Sequence, residues 1–381
     1  MQYNLLIRNG RVIDPLNSID EIRDVFVKNS KIVPAPTDNN YEVSETVDAT
    51  GCIVTPGLID FHTHSAYHTS EQSIKPDIVL PPNGVTAAVD AGTCGTANFE
   101  SMVYNVIAPS ALTIKAYLHL SPLGISTVRF AENLNSAVFD IPKMEYLFER
   151  YPEDIIGFKL RIGGTISAGL HCEPIKTAIE FGERFGCPVY VHIIDPEDSV
   201  DEAAPYFRAG DVFAHVFQEL RHTILDENGK VRSSILEARK RGVIFDSAQG
   251  GRGRSLTIAR KAIEQGFYPD VISSDAYTFV YYKKVVFSLL RCLSEFLSMG
   301  MPLMEVIRAC TQTPAKLMGL ENTIGTLAPG ARADIAILKV LERPVHFDDL
   351  MGNTYEGNRL FVPQMTVVAG QTLYRQIEFM F

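Results

Sequence analysis

The chain lacks most of what would mark it as a secreted, membrane or nucleic-acid-binding protein. Its six cysteines (Cys52, Cys94, Cys172, Cys187, Cys292 and Cys310) are scattered and none forms a Cys-x-x-Cys pair. A zinc ribbon, a dithiol redox site and a disulfide framework are therefore not expected. No dense run of lysine and arginine occurs, and 35 Lys and Arg stand against 45 Asp and Glu for a net charge of −10. Nucleic acid and other polyanions are poor partners for such a chain. The opening residues, Met1 to Arg8, show no basic segment followed by a long apolar one, so no secretory signal is read there. The most apolar late stretch, Val285 to Leu297, is interrupted by Arg291 and Glu295, and falls short of the roughly 20 apolar residues a membrane span needs. The expected compartment is the reducing cytoplasm, and a homo-oligomer is expected because most soluble oligomers are of that kind.

What is present is ordinary globular material in quantity. The 381 residues, 46% hydrophobic and 21% charged, suffice for one large α/β domain with an appendage, or for two domains. Short β-like runs, Tyr3–Arg8, Asp24–Lys28 and Lys31–Val33, open the chain. From Gly51 onward, brief apolar runs alternate with amphipathic stretches: Val54–His62, Thr86–Asp90, Ile114–Leu120, Ile155–Ile162, Val189–Ile194, Val212–Val216, Val243–Phe245 and Val271–Ser273. Expected helices include Pro142–Arg150, Cys172–Phe185, Asp201–Arg208, Ser233–Arg241 and Ser255–Gln265, with Gly186, Gly210, Gly242 and Gly266 as stops, and a last one at Leu303–Leu317. Eight strand-helix units are what a (β/α)8 TIM barrel requires. Short strands return at Ala333–Leu338, Thr366–Val368 and Thr372–Tyr374. The expectation is a barrel over residues 54–322 beside a small β-sandwich domain formed by both chain ends, 1–53 and 323–381.

Asp60-Phe61-His62-Thr63-His64 lies where the first barrel strand ends. In an extended chain, residues two apart share a face, so both imidazoles can point at one metal ion. A buried, merely hydrogen-bonded histidine is the alternative for either one. His192 ends the fifth run, His215 the sixth, and Asp275 follows the eighth. Barrel strand ends converge on one mouth, where such folds place their chemistry. Lys159 ends the fourth run. Desolvation there favours the neutral amine, which can add carbon dioxide and become a carbamate able to bridge two metals; a surface lysine is the alternative.

The ordered set formed by Val54-Thr55-Pro56-Gly57-Leu58-Ile59-Asp60-Phe61-His62-Thr63-His64, Lys159, His192, His215 and Asp275 resembles the amidohydrolase superfamily, as does Ile324-Gly325-Thr326-Leu327-Ala328-Pro329-Gly330-Ala331-Arg332-Ala333-Asp334. Within it, Val85–Thr93, Gly157–Arg161, Gly242–Asp246 and Glu264–Asp275 resemble the dihydroorotase-like amidohydrolase/deacetylase metallohydrolases. The resemblance implies two divalent ions, usually zinc, held by His62, His64, carbamylated Lys159, His192, His215 and Asp275. Gln249 and Tyr277 stand where that group commonly shows histidine, so its substrates are not carried over.

Asp275, beside such ions, is placed to take a proton from a nucleophilic water and pass it to the leaving group. Asp60 is a candidate orienter, with capping of a nearby turn as the alternative. Arg161 shares the strand face of Lys159 and could meet a substrate carboxylate or form a salt bridge. Cys94, His119, Gln249 and Tyr277 follow strands and are candidates to line the pocket, with loop packing as the alternative. The loop Gly250-Gly251-Arg252-Gly253-Arg254 lacks phosphate-loop spacing and is expected to carry Arg252 or Arg254 toward an anionic substrate. The expected function is hydrolysis of an amide or related acyl bond in a small carboxylate-bearing metabolite. A cyclic amide hydrolase, a mononuclear deaminase (suggested by His192-Ile193-Ile194-Asp195) and a non-catalytic scaffold are the rivals.

Overall fold

The computed structural model describes residues 2–38, 40–281 and 288–380. Met1 and residues 285–287 of the interrupted apolar stretch lie outside the described residues. No helix among the described residues is long and apolar enough to cross a membrane.

Seven parallel strands lie side by side in sequence order: Leu58–Thr63, Val85–Asp90, Thr113–His119, Ile155–Ile162, Val189–Ile193, Val212–Ala214 and Ile244–Asp246. Residues 271–276 fill the eighth place, through a bridge from Asp246 to Val271 on one side and from Thr63 to Ala276 on the other. The expected strand Val271–Ser273 is thus not a regular strand. Side chains intercept its backbone donors, since Ser273 N donates to Ser247 Oγ and Ser274 N to Asp60 Oδ1.

Outward-facing Leu118, Phe158, Val191, Phe213 and Phe245 share one buried core with Met144, Ile175, Ala178, Ile235 and Ala259 of the surrounding helices. Each of these side chains larger than alanine contributes about 1.5–3 kcal/mol on burial. Helix Glu173–Phe185 stops at Gly186, whose φ of 65° is left-handed and free of strain only without a Cβ.

The chain ends meet in a six-stranded sheet ordered Ile19–Ile22, Arg11–Asp14, Ile53–Pro56, Ile335–Asp348, Thr354–Val368 and Gln371–Arg375. A second sheet, of four strands, joins Lys31–Val33, Val25–Lys28, Gln2–Arg8 and Glu42–Asp48. Ile7, Val12, Val27, Val54, Ile335 and Val367 form their common core.

Other sequence expectations change as well, and Asp201–Arg208 is only a short helix, Val200–Ala203, followed by a 3-10 turn, Ala204–Tyr206. Val54–His62 is two strands, because Ile53–Pro56 pairs with Ile335–Asp348 in the terminal sheet and Gly57 separates it from the barrel strand. Leu303–Leu317 is two helices, Leu303–Arg308 and Gln312–Leu317. Pro314 cannot continue a helix through residue 310, and the carbonyls of Ala309 and Cys310 instead accept from Ile272 N and Ile59 N at 3.0 and 2.7 Å. The C-terminal strands extend well past the short apolar runs read from sequence, through the exposed segment Leu341–Pro344.

Asp14 ties the two ends together. Its Oδ2 accepts from Asn17 Nδ2 at 2.7 Å, Thr326 Oγ1 at 2.8 Å and Leu327 N at 2.8 Å. Asp14→Ala is expected to lower unfolding free energy by roughly 1–3 kcal/mol, because buried donors lose their acceptor. An unchanged denaturant midpoint would contradict this role.

Candidate active site

Four histidines, a lysine and an aspartate meet at the C-terminal ends of the barrel strands. His62 Nε2 and His64 Nε2 lie 3.4 and 3.3 Å from Asp275 Oδ1, and His215 Nε2 lies 4.0 Å from Asp275 Oδ2. The His192 ring is 4.2 Å from that of His215, edge to face. Beneath them, the rings of Phe61, Tyr117 and Tyr190 contact one another at 5.0 to 6.3 Å and fill the barrel.

The outer nitrogen of three imidazoles is spoken for, and this assigns their tautomers. Tyr190 donates its hydroxyl hydrogen to Asp246 Oδ2, so its oxygen accepts from His62 Nδ1 at 2.7 Å. Thr93 donates to Asp90 Oδ2 at 2.7 Å and accepts from His64 Nδ1 at 2.8 Å. The Ala248 carbonyl can only accept, and it takes the hydrogen of His215 Nδ1 at 2.6 Å. Each Nε2 is therefore left with a bare lone pair facing Asp275, the arrangement found around metal-ligating histidines.

Burial keeps His62, His192 and His215 neutral. It pushes His62 and His192 well below the ordinary histidine range and His215 down to about 4. The same burial raises Asp246 to about 6 and Asp60 to about 7. Asp60 accepts from Ser274 N at 3.0 Å and Ser274 Oγ at 2.5 Å, fixing the residue next to Asp275. His215 and Asp275 have φ of 60° and 50°. Left-handed backbone at non-glycine residues costs on the order of 1–3 kcal/mol and is concentrated at functional sites.

Lys159 is wholly buried and is no surface group. Its Nζ sits 4.3 Å from the centre of the Tyr190 ring. Burial is the main cause lowering it to about 7, so an uncharged amine is accessible near neutrality. Gly92, with φ of 80°, makes room: a Cβ there would come within 2.2 Å of Lys159 Cβ.

Three inward atoms, His215 Nε2, Lys159 Nζ and Asp275 Oδ1, are buried and without a hydrogen-bond partner. One ligand atom from each of His62, His215 and Asp275 lies within 4.8 Å of the other two. Bare imidazole nitrogens and a carboxylate at that spacing fit a divalent cation, with zinc and manganese among the suitable ions.

A cavity of about 400 Å³ opens at this group, lined by polar His64, His192, Asp275, Arg161, Arg252 and Tyr277 and by aliphatic Ile125, Val128, Ile166, Ile194 and Leu220. Arg161 grips both carboxylate oxygens of Glu132, at 2.6 and 3.0 Å, while still facing the cavity. Cys94 is buried in the hydrophobic core, and His119 and Gln249 are buried outside the cavity wall. Burial also pushes His119 well below the ordinary histidine range. Arg254, expected at the rim, turns inward to Glu295 at 2.6 Å and Gln249 at 2.9 Å. Both members of that pair are almost fully buried, and a buried carboxylate without its cation would be strongly destabilising. His68, His171 and His346 are exposed and His222 half-buried.

Sequence reasoning passed over Tyr190, Asp246, Thr93, Asp90 and Glu132 as site residues. Tyr190 lies two residues before His192 on the same strand face, a signal that could have found it. Glu132 sits in an irregular loop with no comparable pattern.

Residues 221–373 match the model of the Amidohydrolase family. A deacetylase from Brucella anthropi is 30% identical over 356 residues, covering 90% of this chain and 84% of that protein. Among solved structures, an adenine deaminase has a TM-score of 0.88 at 25% identity, covering 98% of this chain and 100% of that one. A dihydroorotase has a TM-score of 0.85 at 26% identity, covering 98% of each.

The Lys159 burial carries a pH signature in the metal-free protein. Its folded pKa is lowered from 10.5 to about 7, so between those values the unfolded chain binds more protons. Stability then rises with pH, by up to roughly 1.4 kcal/mol per pH unit, across that window and is flat below it with respect to this group. Denaturant titrations of wild type and Lys159→Met from pH 7 to 10 should diverge in slope; parallel curves would contradict the burial of an ionisable amine.

Proposed function

Because this chain belongs to the amidohydrolase family, we propose that it is a metal-dependent hydrolase that removes an acyl group from a small carboxylate-bearing metabolite, by cleaving an amide or a related acyl bond. The observation that carries this reading is the inward convergence of bare Nε2 lone pairs on a carboxylate oxygen with no other partner, at the base of a cavity bearing two arginines. The deacetylase relative supports the acyl chemistry. The six cysteines are free, which suits the reducing cytoplasm we infer as its location.

In this reading two divalent ions, most readily zinc, are held by His62, His64, His192, His215, Asp275 and Lys159 as its carbamate. Bound there, such ions supply Lewis acidity and hydroxide near neutral pH. The protein's own part is positional and protonic. Asp90 through Thr93, and Asp246 through Tyr190, hold the imidazoles in one tautomer. Asp275 Oδ1 accepts the proton of the attacking water and returns it to the leaving nitrogen or oxygen. Arg161 spends two nitrogens on Glu132 and retains donors for a substrate carboxylate. Arg252, exposed at the rim, is a second cation for the same group. Ile125, Val128 and Ile166 add aliphatic surface to the cavity lining for the non-polar part of such a substrate.

The likeness to a dihydroorotase supports a second reading, ring opening of a cyclic amide, with the same donor set. The test is a panel of N-acyl amino acids, acyl hydroxy acids and cyclic amides, offered to protein prepared with zinc and bicarbonate. Acyl release is expected, with Asp275→Asn lowering kcat/KM about 10²- to 10⁴-fold. Ring opening alone would replace the deacylase reading with the cyclic amide one. Ammonia release from an aminopurine, or no loss in Asp275→Asn, would overturn both.

A further inference from the structure

We propose that His119 is the positioning residue for the carbamate of Lys159, donating a hydrogen bond from Nε2 to one carbamate oxygen. The inference rests on the reading of Lys159 as a carbamate and adds a group that the metal-ligand set does not include.

The strands Thr113–His119 and Ile155–Ile162 are parallel neighbours, and His119 is the register partner of Lys159. Register partners on adjacent strands project from the same face of a sheet, here the barrel interior. Leu120 N donates to Lys159 O at 3.1 Å and fastens the two strand ends together. The two side chains are both wholly buried.

The tautomer of His119 is the reverse of that of His62, His64 and His215. Ser121 N–H donates to His119 Nδ1 at 2.9 Å, so this nitrogen holds a lone pair and the neutral ring carries its hydrogen on Nε2. A protonated Nε2 cannot ligate a metal ion. It is a donor, buried and without a partner, as is Lys159 Nζ. Two neighbouring buried polar atoms left unsatisfied call for a group that satisfies both.

Carbon dioxide provides it. The neutral Nζ lone pair forms an N–C bond to the carbon, one C–O π bond becomes an oxygen lone pair, and the nitrogen releases one proton to solvent. The product is a monoanion with two acceptor oxygens, one of which takes the His119 hydrogen. A charge-assisted bond of this kind is stronger than a neutral one. Its effect is to favour the carbamate over free amine and carbon dioxide.

The experiment compares wild type, His119→Leu and His119→Gln, the last of which keeps an N–H donor, after loading with zinc and ¹³C-bicarbonate. The carbamate ¹³C resonance and the zinc content are read against bicarbonate concentration. His119→Leu is expected to need about tenfold more bicarbonate for half-maximal signal, in line with the loss of a partner to a metal-ligating group, and His119→Gln to recover part of it. Equal midpoints for wild type and His119→Leu would overturn the proposal. A wild-type protein with no carbamate resonance would instead overturn the reading of Lys159 on which it rests. Should His119→Leu not fold, ¹⁵N spectra of wild-type imidazoles decide: hydrogen on Nε2 of His119 supports the role, and hydrogen on Nδ1 refutes it.

Discussion

Three imidazoles at the barrel mouth carry their hydrogens on the outer nitrogen, and almost everything else in the site follows from that. Each Nδ1 is bound to an acceptor that has no alternative role: a tyrosine and a threonine already committed to carboxylates, and a backbone carbonyl. The inner nitrogens are left as lone pairs on buried side chains. There an unpaired charge is costly, which is why His62 and His215 stay neutral and why Lys159 is drawn toward its uncharged form.

The fold supplies this constraint with few parts. Parallel strands end on one rim, so residues remote in sequence arrive side by side. Segment 271–276 gives up regular pairing to Ser247 and Asp60, and Asp275 within it takes a left-handed backbone. Asp60 and Asp246, raised by burial, brace this segment from below through Ser274 and Ser273. Arg254 and Glu295 form a separate buried brace. They tie the glycine-rich loop at the cavity rim to helix Leu289–Ser298, and Arg254 reaches the carbonyl of Asp348 near the tip of the long C-terminal hairpin. The terminal sheets thereby reach the loop that carries Arg252.

The amino-acid sequence displays part of this plainly. Strand-end positions of His62, His64, Lys159, His192, His215 and Asp275 are readable because apolar runs mark strands and a barrel has one chemical end. The supporting groups are not readable in the same way. Asp246 and Asp90 look like ordinary strand-end acids, and Glu132 lies in a loop whose partner, Arg161, is set by tertiary folding alone. Period-two alternation cannot tell which sheet a strand joins, so Val54–His62 reads as one strand although Gly57 divides it between two sheets. Polar residues such as Glu342 and His346 hide the length of the C-terminal strands, because their pairing is backbone and leaves no hydrophobic trace.

A site assembled this way has its ligand atoms oriented before any ion arrives. Metal content per chain, by elemental mass spectrometry on protein purified with zinc and bicarbonate, tests it most directly. About two ions per chain, in line with a bridged binuclear centre, is the predicted result. A protein that retains none after reconstitution would contradict the account, since neutral imidazoles with inward lone pairs would then serve no ligand at all.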